Sequence, residues 1–288
     1  RWVPESGGAP GRFVSQPLPD SLRPSAVRGL RRVEKGGLWI GGSNFVAYLD
    51  QGKFSWTQAG KNGFKAGLVD WIDVDPRGAV WCGSTESKWV QRRDPNGFWS
   101  TVSIPESCAS VMRMVRLDPG GDLWLGTDGD GVWRYDGTTW RNYNVADGLC
   151  STRVHHLAFD QSGRVWMGTW GGGISILNER DFRNYARPDG LPWDMVWSLG
   201  ERGDGGIWVA TGLLVRGKNE QPGGISLFDG TNFSPLALPP SLTGKPGSMK
   251  VGPDGNLYFG NKNGELCRYD GRQFHVFPTL VPSEWRGS

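Results

Sequence analysis

Long hydrophobic runs are missing from this sequence. Its 288 residues contain no stretch of about 18 apolar residues, the length that a membrane-spanning helix needs, so we expect no direct membrane insertion. An excess of one charge is missing as well, because 32 basic and 29 acidic residues are scattered along the chain and leave a formal net charge of +3. Since nucleic-acid binding needs a basic patch or stripe, we expect no nucleic-acid partner.

Histidine is scarce, and its three positions do not suit a metal site. His155 and His156 are adjacent, so on a strand their side chains point to opposite faces, and His275 lies in a different segment. The loop with Asp128 and Asp130 offers two carboxylates, whereas calcium takes about six to eight oxygen ligands. Phosphate-binding loops and nucleophile elbows are missing too. We therefore expect no metal and no cofactor, and we assign no catalytic residue.

Tryptophan and glycine, in contrast, are abundant, with 16 and 45 residues. One phrase recurs along the chain: an aliphatic residue, an aromatic residue, an aliphatic residue and then a small one. The steps between its aromatic positions are 42, 43, 42, 42 and 50 residues, and the positions are Trp39, Trp81, Trp124, Trp166, Trp208 and Tyr258. This near-constant spacing identifies an internal repeat, in which the aromatic rings are expected to pack between neighbouring units.

Each repeat predicts four short strands. Turn sequences such as those at 75–78 and 118–121 separate the first strand from the aromatic one. Asp-Gly pairs at 136–137, 229–230 and 270–271 are strong hairpin signals before a fourth strand. Four short strands in roughly forty residues are typical of a propeller blade. We therefore predict an all-β fold, a single β-propeller domain over residues 1–288 with four-stranded antiparallel blades.

The number of blades depends on the two ends of the chain. Six copies of the repeat are complete, over residues 26–58, 69–102, 111–143, 154–185, 196–236 and 248–277. Residues 11–14 resemble a fourth strand and 281–285 the entry to a first strand, so a ring closed by both ends would contain a composite seventh blade. We predict seven blades, with Phe13 and Trp285 in the shared one; six blades is the alternative.

A family resemblance lies in residues 147–154 (DGLCSTRV), 160–169 (DQSGRVWMGT) and 189–192 (DGLP). These phrases resemble the repeat of the two-component regulator propeller. The resemblance implies a sensor domain that is periplasmic or extracellular and works with a membrane-linked histidine kinase, in its parent chain or as a separate partner. It does not define the ligand, because a fold does not determine a function.

Candidate binding residues lie outside the packing positions of the repeat. Counting back eleven residues from the blade aromatics gives a series that should ring the mouth of the central channel: Arg28, Asp70, Arg113, His155 and Trp197. Trp170 follows a second strand, whereas Trp193 and Asp194 precede a first strand, and in an antiparallel blade both loop types emerge on one face. A ten-residue insertion at 213–222 is expected on that face. With two neighbours of the ring positions, the predicted ligand-binding set is Trp170, Trp193, Trp197, Asp194, Arg113, His155, His156, Asp70 and Trp71.

Aromatic rings beside polar groups suit a carbohydrate, so we predict a non-catalytic, ligand-binding sensor whose partner is an oligosaccharide or another small ligand. Two other functions stay open: an enzyme, either a lyase or a glycoside hydrolase, and a protein-interaction scaffold with an empty channel. The rings also have a purely structural interpretation, in which they cover the core. For an enzyme, the acid–base candidates are His155, His156, Asp70, Asp128 and Asp194.

Overall fold

A computed structural model describes residues 2–3, 12–13, 18–22, 26–33, 36–65, 67–86, 88–212, 223–239, 242, 248–252, 254–260 and 265–277. By their contacts the residues form two compact units, Arg1–Val74 with Gly78–Ser103, and Asp75–Arg77 with Ile104–Ser288. Among the described residues, short 3-10 turns at Asp20–Leu22, Val145–Asp147 and Arg187–Asp189 accompany the strands.

The described residues of the first unit form two four-stranded blades. Blade 1 consists of β3 (Val27–Arg32), β4 (Leu38–Gly42), β5 (Phe45–Asp50) and β6 (Lys53–Gln58). Blade 2 consists of β7 (Trp71–Val74), β8 (Val80–Ser84), β9 (Trp89–Arg93) and β10 (Trp99–Val102). The strands pair in chain order and antiparallel, as hairpin-connected short strands do. This unit also contains the short strands β1 (Trp2–Val3) and β2 (Arg12–Phe13).

In the second unit, the part of the chain that the structure describes forms four blades with the same strand order. Blade 3 is β11 (Met112–Leu117), β12 (Leu123–Thr127), β13 (Val132–Tyr135) and β14 (Trp140–Tyr143). Blade 4 is β15 (Val154–Phe159), β16 (Val165–Thr169), β17 (Ile174–Asn178) and β18 (Asp181–Tyr185). Blade 5 is β19 (Met195–Glu201), β20 (Ile207–Gly212), β21 (Gly223–Phe228) and β22 (Phe233–Pro235). Blade 6 is β23 (Met249–Val251), β24 (Leu257–Gly260), β25 (Leu266–Tyr269) and β26 (Phe274–Phe277).

The prediction of seven blades is wrong, because the described residues form six four-stranded sheets. The strand expected near Phe13 does exist, but its partner is the segment Trp2–Val3, with Trp2 opposite Phe13. These two strands make a two-stranded sheet of their own instead of the outer part of a further blade. Trp285, the other expected member of the composite blade, lies outside the described residues, as does the insertion at 213–222.

The repeated tryptophans are packing residues, as predicted. Trp166 is fully buried, and in one cluster it joins residues of blade 5 that include Val209 and Phe228. In blades 3 and 4 the indole N–H also donates a hydrogen bond to the turn after the first strand, from Trp124 Nε1 to Asp118 Oδ2 (2.9 Å) and from Trp166 Nε1 to Asp160 Oδ2 (2.7 Å). The turn aspartate therefore ties the ring to its own blade while the ring packs on the next one.

Candidate functional site

Four of the five residues predicted to ring the channel coincide with β-bulges. In four blades the pairing of the first strand with the second skips one residue, between Val27 and Gly29, Met112 and Met114, Val154 and His156, and Val196 and Ser198. The skipped residues are members of the predicted series: Arg28, Arg113, His155 and Trp197. A bulge leaves its extra residue outside the ladder and re-aims its side chain. In the second unit, three consecutive blades thus present Arg113, His155 and Trp197 from equivalent positions.

Asp128 lies at the centre of the polar side chains here. It follows β12, where Thr127 Oγ1 donates to Gly131 O (2.9 Å) and fixes the turn, and its own N–H donates to Val111 O (2.9 Å). Its carboxylate accepts hydrogen bonds from Arg113 Nη2 (2.6 Å) on one oxygen and from Arg153 Nε (2.7 Å) on the other. His155 Nε2 lies 3.1 Å from the second oxygen.

The electrostatics of this group are dominated by the two arginines. Burial by itself raises the pKa of the Asp128 carboxyl, but the hydrogen bonds from Arg113, Arg153 and His155 outweigh burial and hold that pKa well below its usual value. Burial also lowers the pKa of His155, an effect that the contact with Asp128 opposes and the two arginines reinforce. At pH 7 Asp128 is therefore a carboxylate and His155 is neutral.

Aromatic rings continue the group on the side of His155. Trp170 follows β16, and its backbone N–H donates to the carbonyl oxygen of Arg153 (2.9 Å). The indole of Trp170 contacts the ring of His155 edge to face (4.5 Å between centroids) and the ring of Trp197 at 5.5 Å. The guanidinium carbon of Arg153 lies 4.9 Å from the Trp170 centroid, a cation–π contact. We call this connected set the Asp128 cluster: Arg113, Asp128, Arg153, His155, Trp170 and Trp197.

Trp193 and Asp194 have different surroundings. The ring contact of Trp193 is with Arg187, whose guanidinium carbon lies 5.1 Å from the ring centroid. Asp194 supports the loop after β16, because its carbonyl oxygen accepts from Gly171 N (3.1 Å) and Gly173 N (2.9 Å). Its Oδ1 accepts from Arg187 N (2.8 Å). Asp194 therefore positions the loop that carries Trp170, and the single concavity expected to include Trp193 stays a prediction.

His156 is buried in the second unit, with 7% of its surface exposed. Nδ1 accepts from Leu199 N (3.2 Å), and Nε2 lies 3.4 Å from Ser198 Oγ, so the imidazole connects two blades. Burial lowers the pKa of His156 to about 3. The two adjacent histidines thus have different partners, and His156 is a buried neutral imidazole that bonds the backbone of the next blade.

Asp70 and Trp71 also have structural partners, within the first unit. Both carboxylate oxygens of Asp70 lie 3.0 Å from Thr85 N, and Oδ2 accepts from Thr85 Oγ1 (2.8 Å). Trp71 is 9% exposed, and it lies so close to Gly83 that a Cβ there would be 2.9 Å from Trp71 Nε1. Asp70 thus ties the strand start to the loop after β8, while Trp71 fills the space beside it.

Sequence reasoning missed Arg153 and gave Asp128 only an acid–base or calcium role. A second count would have found the position of Asp128, because four residues after the aromatics of blades 1 to 5 come Ser43, Thr85, Asp128, Trp170 and Gly212. Asp128 and Trp170 are equivalent, and each forms a bridge to a residue 25 positions later, Arg153 and Met195. Predicting this cluster from the sequence therefore needs two series of repeat positions: the bulge residue of the first strand and the residue that follows the second strand.

Other kinds of site find no support in the part of the chain that the structure describes. No group of three histidine, cysteine, aspartate or glutamate side chains there could hold a metal ion. No helix among those residues is long and apolar enough to cross a membrane.

Solved structures share the fold. One is a catalytically inactive histidine-to-alanine variant of virginiamycin B lyase from Staphylococcus aureus with quinupristin, 17% identical, with a TM-score of 0.70 over 90% of this chain and 86% of that one. Another is the extracellular domain of a hybrid two-component system from B. thetaiotaomicron, 20% identical, with a TM-score of 0.69 over 91% of this chain and 35% of that one. A further extracellular domain of such a system is 17% identical, with a TM-score of 0.56 over 90% and 44%. At these identities the likeness establishes the fold alone, a β-propeller with four-stranded blades.

Sequence comparison adds the family of the repeat. No curated protein matches the chain. Residues 148–171, which include Trp166 and Trp170, match the family described as the two component regulator propeller. The resemblance predicted from the phrases around Gly148 is thereby confirmed, and the chain carries the repeat of the two-component regulator propeller family.

Proposed function

We propose that this chain is a non-catalytic, ligand-binding sensor propeller that recognises an oligosaccharide outside the cytoplasmic membrane. The family repeat and the two extracellular domains among its structural neighbours support the sensor role and the location. Its signalling partner would then be a membrane-linked histidine kinase, either in the same polypeptide or in another one. The ligand class is argued from the Asp128 cluster.

The observation that carries the proposal is the joining of aromatic and polar groups in one cluster. Sugars present apolar C–H faces and hydroxyl edges, so their sites combine aromatic rings with a few fixed hydrogen-bonding groups. Trp170 and Trp197 supply two rings in contact, both partly exposed. Arg113 and Arg153 supply donors that Asp128 holds in place. The polar groups are therefore preorganised before a ligand arrives, which reduces the entropy cost of binding.

A non-catalytic role agrees with the protonation states. The carboxylate of Asp128 accepts from two arginines and contacts His155, and its low pKa keeps it from releasing or delivering a proton near neutral pH. Of the cluster, only His155 can exchange a proton under those conditions. A binding protein needs fixed polar groups and no acid–base pair.

The test is calorimetric titration of the chain with a panel of neutral and acidic oligosaccharides. We expect Trp170→Ala and Trp197→Ala to weaken binding of the best panel member at least about tenfold, because each removes a contact ring. Trp140→Ala is the matched control, since Trp140 lies on β14, the outermost strand of its blade, and its ring contacts that of Tyr135 at 4.9 Å. Absence of binding by every sugar would refute the proposal and favour the protein-interaction scaffold.

A second candidate is a lyase, favoured by one observation. His155 is neutral at pH 7 and contacts a carboxylate, as a general base does, and virginiamycin B lyase shares the fold. The test is incubation of the chain with a streptogramin B such as quinupristin, followed by mass spectrometry. Turnover that His155→Ala abolishes would replace the sensor by the enzyme.

A further inference from the structure

We infer that the ligand of the Asp128 cluster carries an anionic group, a carboxylate or a sulfate ester on a sugar ring. The inference rests on the proposed function and deepens it, because it names the chemistry of the oligosaccharide. It is drawn from the balance of charge, the exposure of the charged groups and the donors that remain for a ligand.

The charges of the cluster do not cancel. Arg113 and Arg153 both pair with the single carboxylate of Asp128. The histidine beside them is neutral at pH 7 and adds no charge. Other ion pairs of this unit, Arg134 with Asp122 and Arg164 with Asp160, are one to one. The cluster therefore keeps one positive charge, which attracts an anion and disfavours a cationic ligand.

The two positive groups are also the accessible ones. The side chains of Arg113 and Arg153 are 43% and 47% exposed, whereas that of Asp128 is 15% exposed. An approaching ligand thus meets the guanidinium groups before it meets the carboxylate. The carboxylate beneath them fixes the two groups by hydrogen bonds to its two different oxygens.

Donors remain on both arginines after the contact with Asp128. A guanidinium has five N–H donors, and Arg153 uses Nε, so its Nη groups stay available for a ligand. Arg113 donates to Asp128 from Nη2, so its other N–H groups remain for a ligand as well. Arginine binds carboxylates and sulfate-like oxyanions through paired N–H donors, a geometry that a hydroxyl group cannot match.

The neighbouring rings explain why the anion should belong to a sugar. Arg153 stacks on Trp170, which in turn contacts Trp197, so the cation and the apolar surface are continuous. A free inorganic anion would use the arginines alone. A uronate or a sulfated sugar would place its acidic group on Arg153 and its ring carbons against the indoles.

The experiment compares matched probes by calorimetry: tetragalacturonic acid, its fully methyl-esterified and therefore uncharged form, and a sulfated galactan tetrasaccharide with its desulfated parent. We expect the charged member of one pair to bind roughly tenfold or more tightly than its neutral partner. A difference within the galacturonate pair would indicate that the site binds a carboxylate, and a difference within the galactan pair would indicate a sulfate ester. The difference in affinity between the charged probe and its neutral partner should shrink when salt is raised from about 0.1 M to 1 M, because the screening length falls from about 10 Å to 3 Å.

Variants assign the effect to the cluster. We expect Arg113→Gln and Arg153→Gln to remove most of the preference for the charged probe, and Arg153→Lys to restore only part of it. Arg183→Gln is the matched control, because Arg183 is exposed and lies 4.9 Å from the ring of Tyr185, the distance of Arg153 from Trp170. Melting temperatures identify any variant that is misfolded.

The outcomes separate the two proposals. Equal binding of charged and neutral probes would overturn the anionic ligand and leave the oligosaccharide sensor in place. A preference that survives both glutamine variants would also overturn it, because the charge would then be recognised elsewhere. If no neutral or acidic sugar binds, the proposed function itself fails and this inference fails with it.

Discussion

Trp166→Ala tests the idea that the repeated aromatic ring holds neighbouring blades together. The indole is completely buried and lies in a cluster with Ile207, Val209 and Phe228 of the next blade. Its ring centroid is 5.2 Å from that of Phe228, at an angle of 64°. The substitution removes these contacts and leaves a large cavity between two sheets that the backbone cannot close without shifting a blade.

The expected cost follows from those contacts. Replacing a buried tryptophan by alanine costs about 3–5 kcal/mol, from lost transfer energy and the residual cavity. The lost hydrogen bond adds little, because Asp160 Oδ2 still accepts from Arg164 Nε (2.7 Å). Trp166→Phe keeps most of the ring and loses the N–H, so we expect a smaller cost than for alanine.

Urea unfolding, followed by circular dichroism at 25 °C, measures the effect. The midpoint for Trp166→Ala should fall well below that of the parent, with Trp166→Phe between the two. Trp193→Ala is the control, because its partly exposed ring contacts Arg187 in a loop, and we expect a cost below about 1 kcal/mol. If Trp166→Ala unfolded at the same urea concentration as the parent, the packing role of the ring would be refuted.

Three further predictions concern the loops and the buried histidine. In binding experiments Trp193→Ala should weaken binding less than Trp170→Ala, because the ring contact of Trp193 is with Arg187, and an equal loss would support the single concavity. Gly173→Ala should destabilise the chain more than Gly171→Ala, as melting temperatures would show: both have positive φ, but only at Gly173 would a Cβ lie 2.1 Å from a backbone oxygen. Because burial lowers the pKa of His156 from 6.5 to about 3, only the unfolded chain binds this proton between those values. Unfolding free energy should therefore fall as pH falls through that range, and less so in His156→Gln.

The blades could be predicted because their signals are local. The alternation of apolar residues around Trp124 or Trp166, with Asp-Gly turns nearby, specifies strands and hairpins without knowledge of the rest of the chain. The number of blades is not a local property, because it depends on which distant strands pair with the edge of a sheet. The residues near Phe13 have a strand pattern, but only the structure shows that Trp2–Val3 occupies the adjacent edge.

The candidate site was predicted in part for the same reason. Position in the repeat was enough to place Arg113, His155 and Trp197 at equivalent strand starts. Only the observed strand pairing shows that they are bulge residues. Arg153 belongs to a loop outside both the strand pattern and the ring series. Its importance arises from a contact with Asp128, 25 residues earlier, which no local pattern encodes.

The repeat itself indicates why a binding site would form at the bulges. At the packing position five blades use tryptophan and one uses tyrosine, because only a large ring fills the space between sheets. At the bulge position the residues are arginine, arginine, histidine and tryptophan, and Asp70 occupies the corresponding place in blade 2. Side chains that leave the ladder are freed from the packing constraint, so their chemistry can differ from blade to blade. A repeat fold thus gains a specific surface at the positions where its own periodicity does not fix the residue.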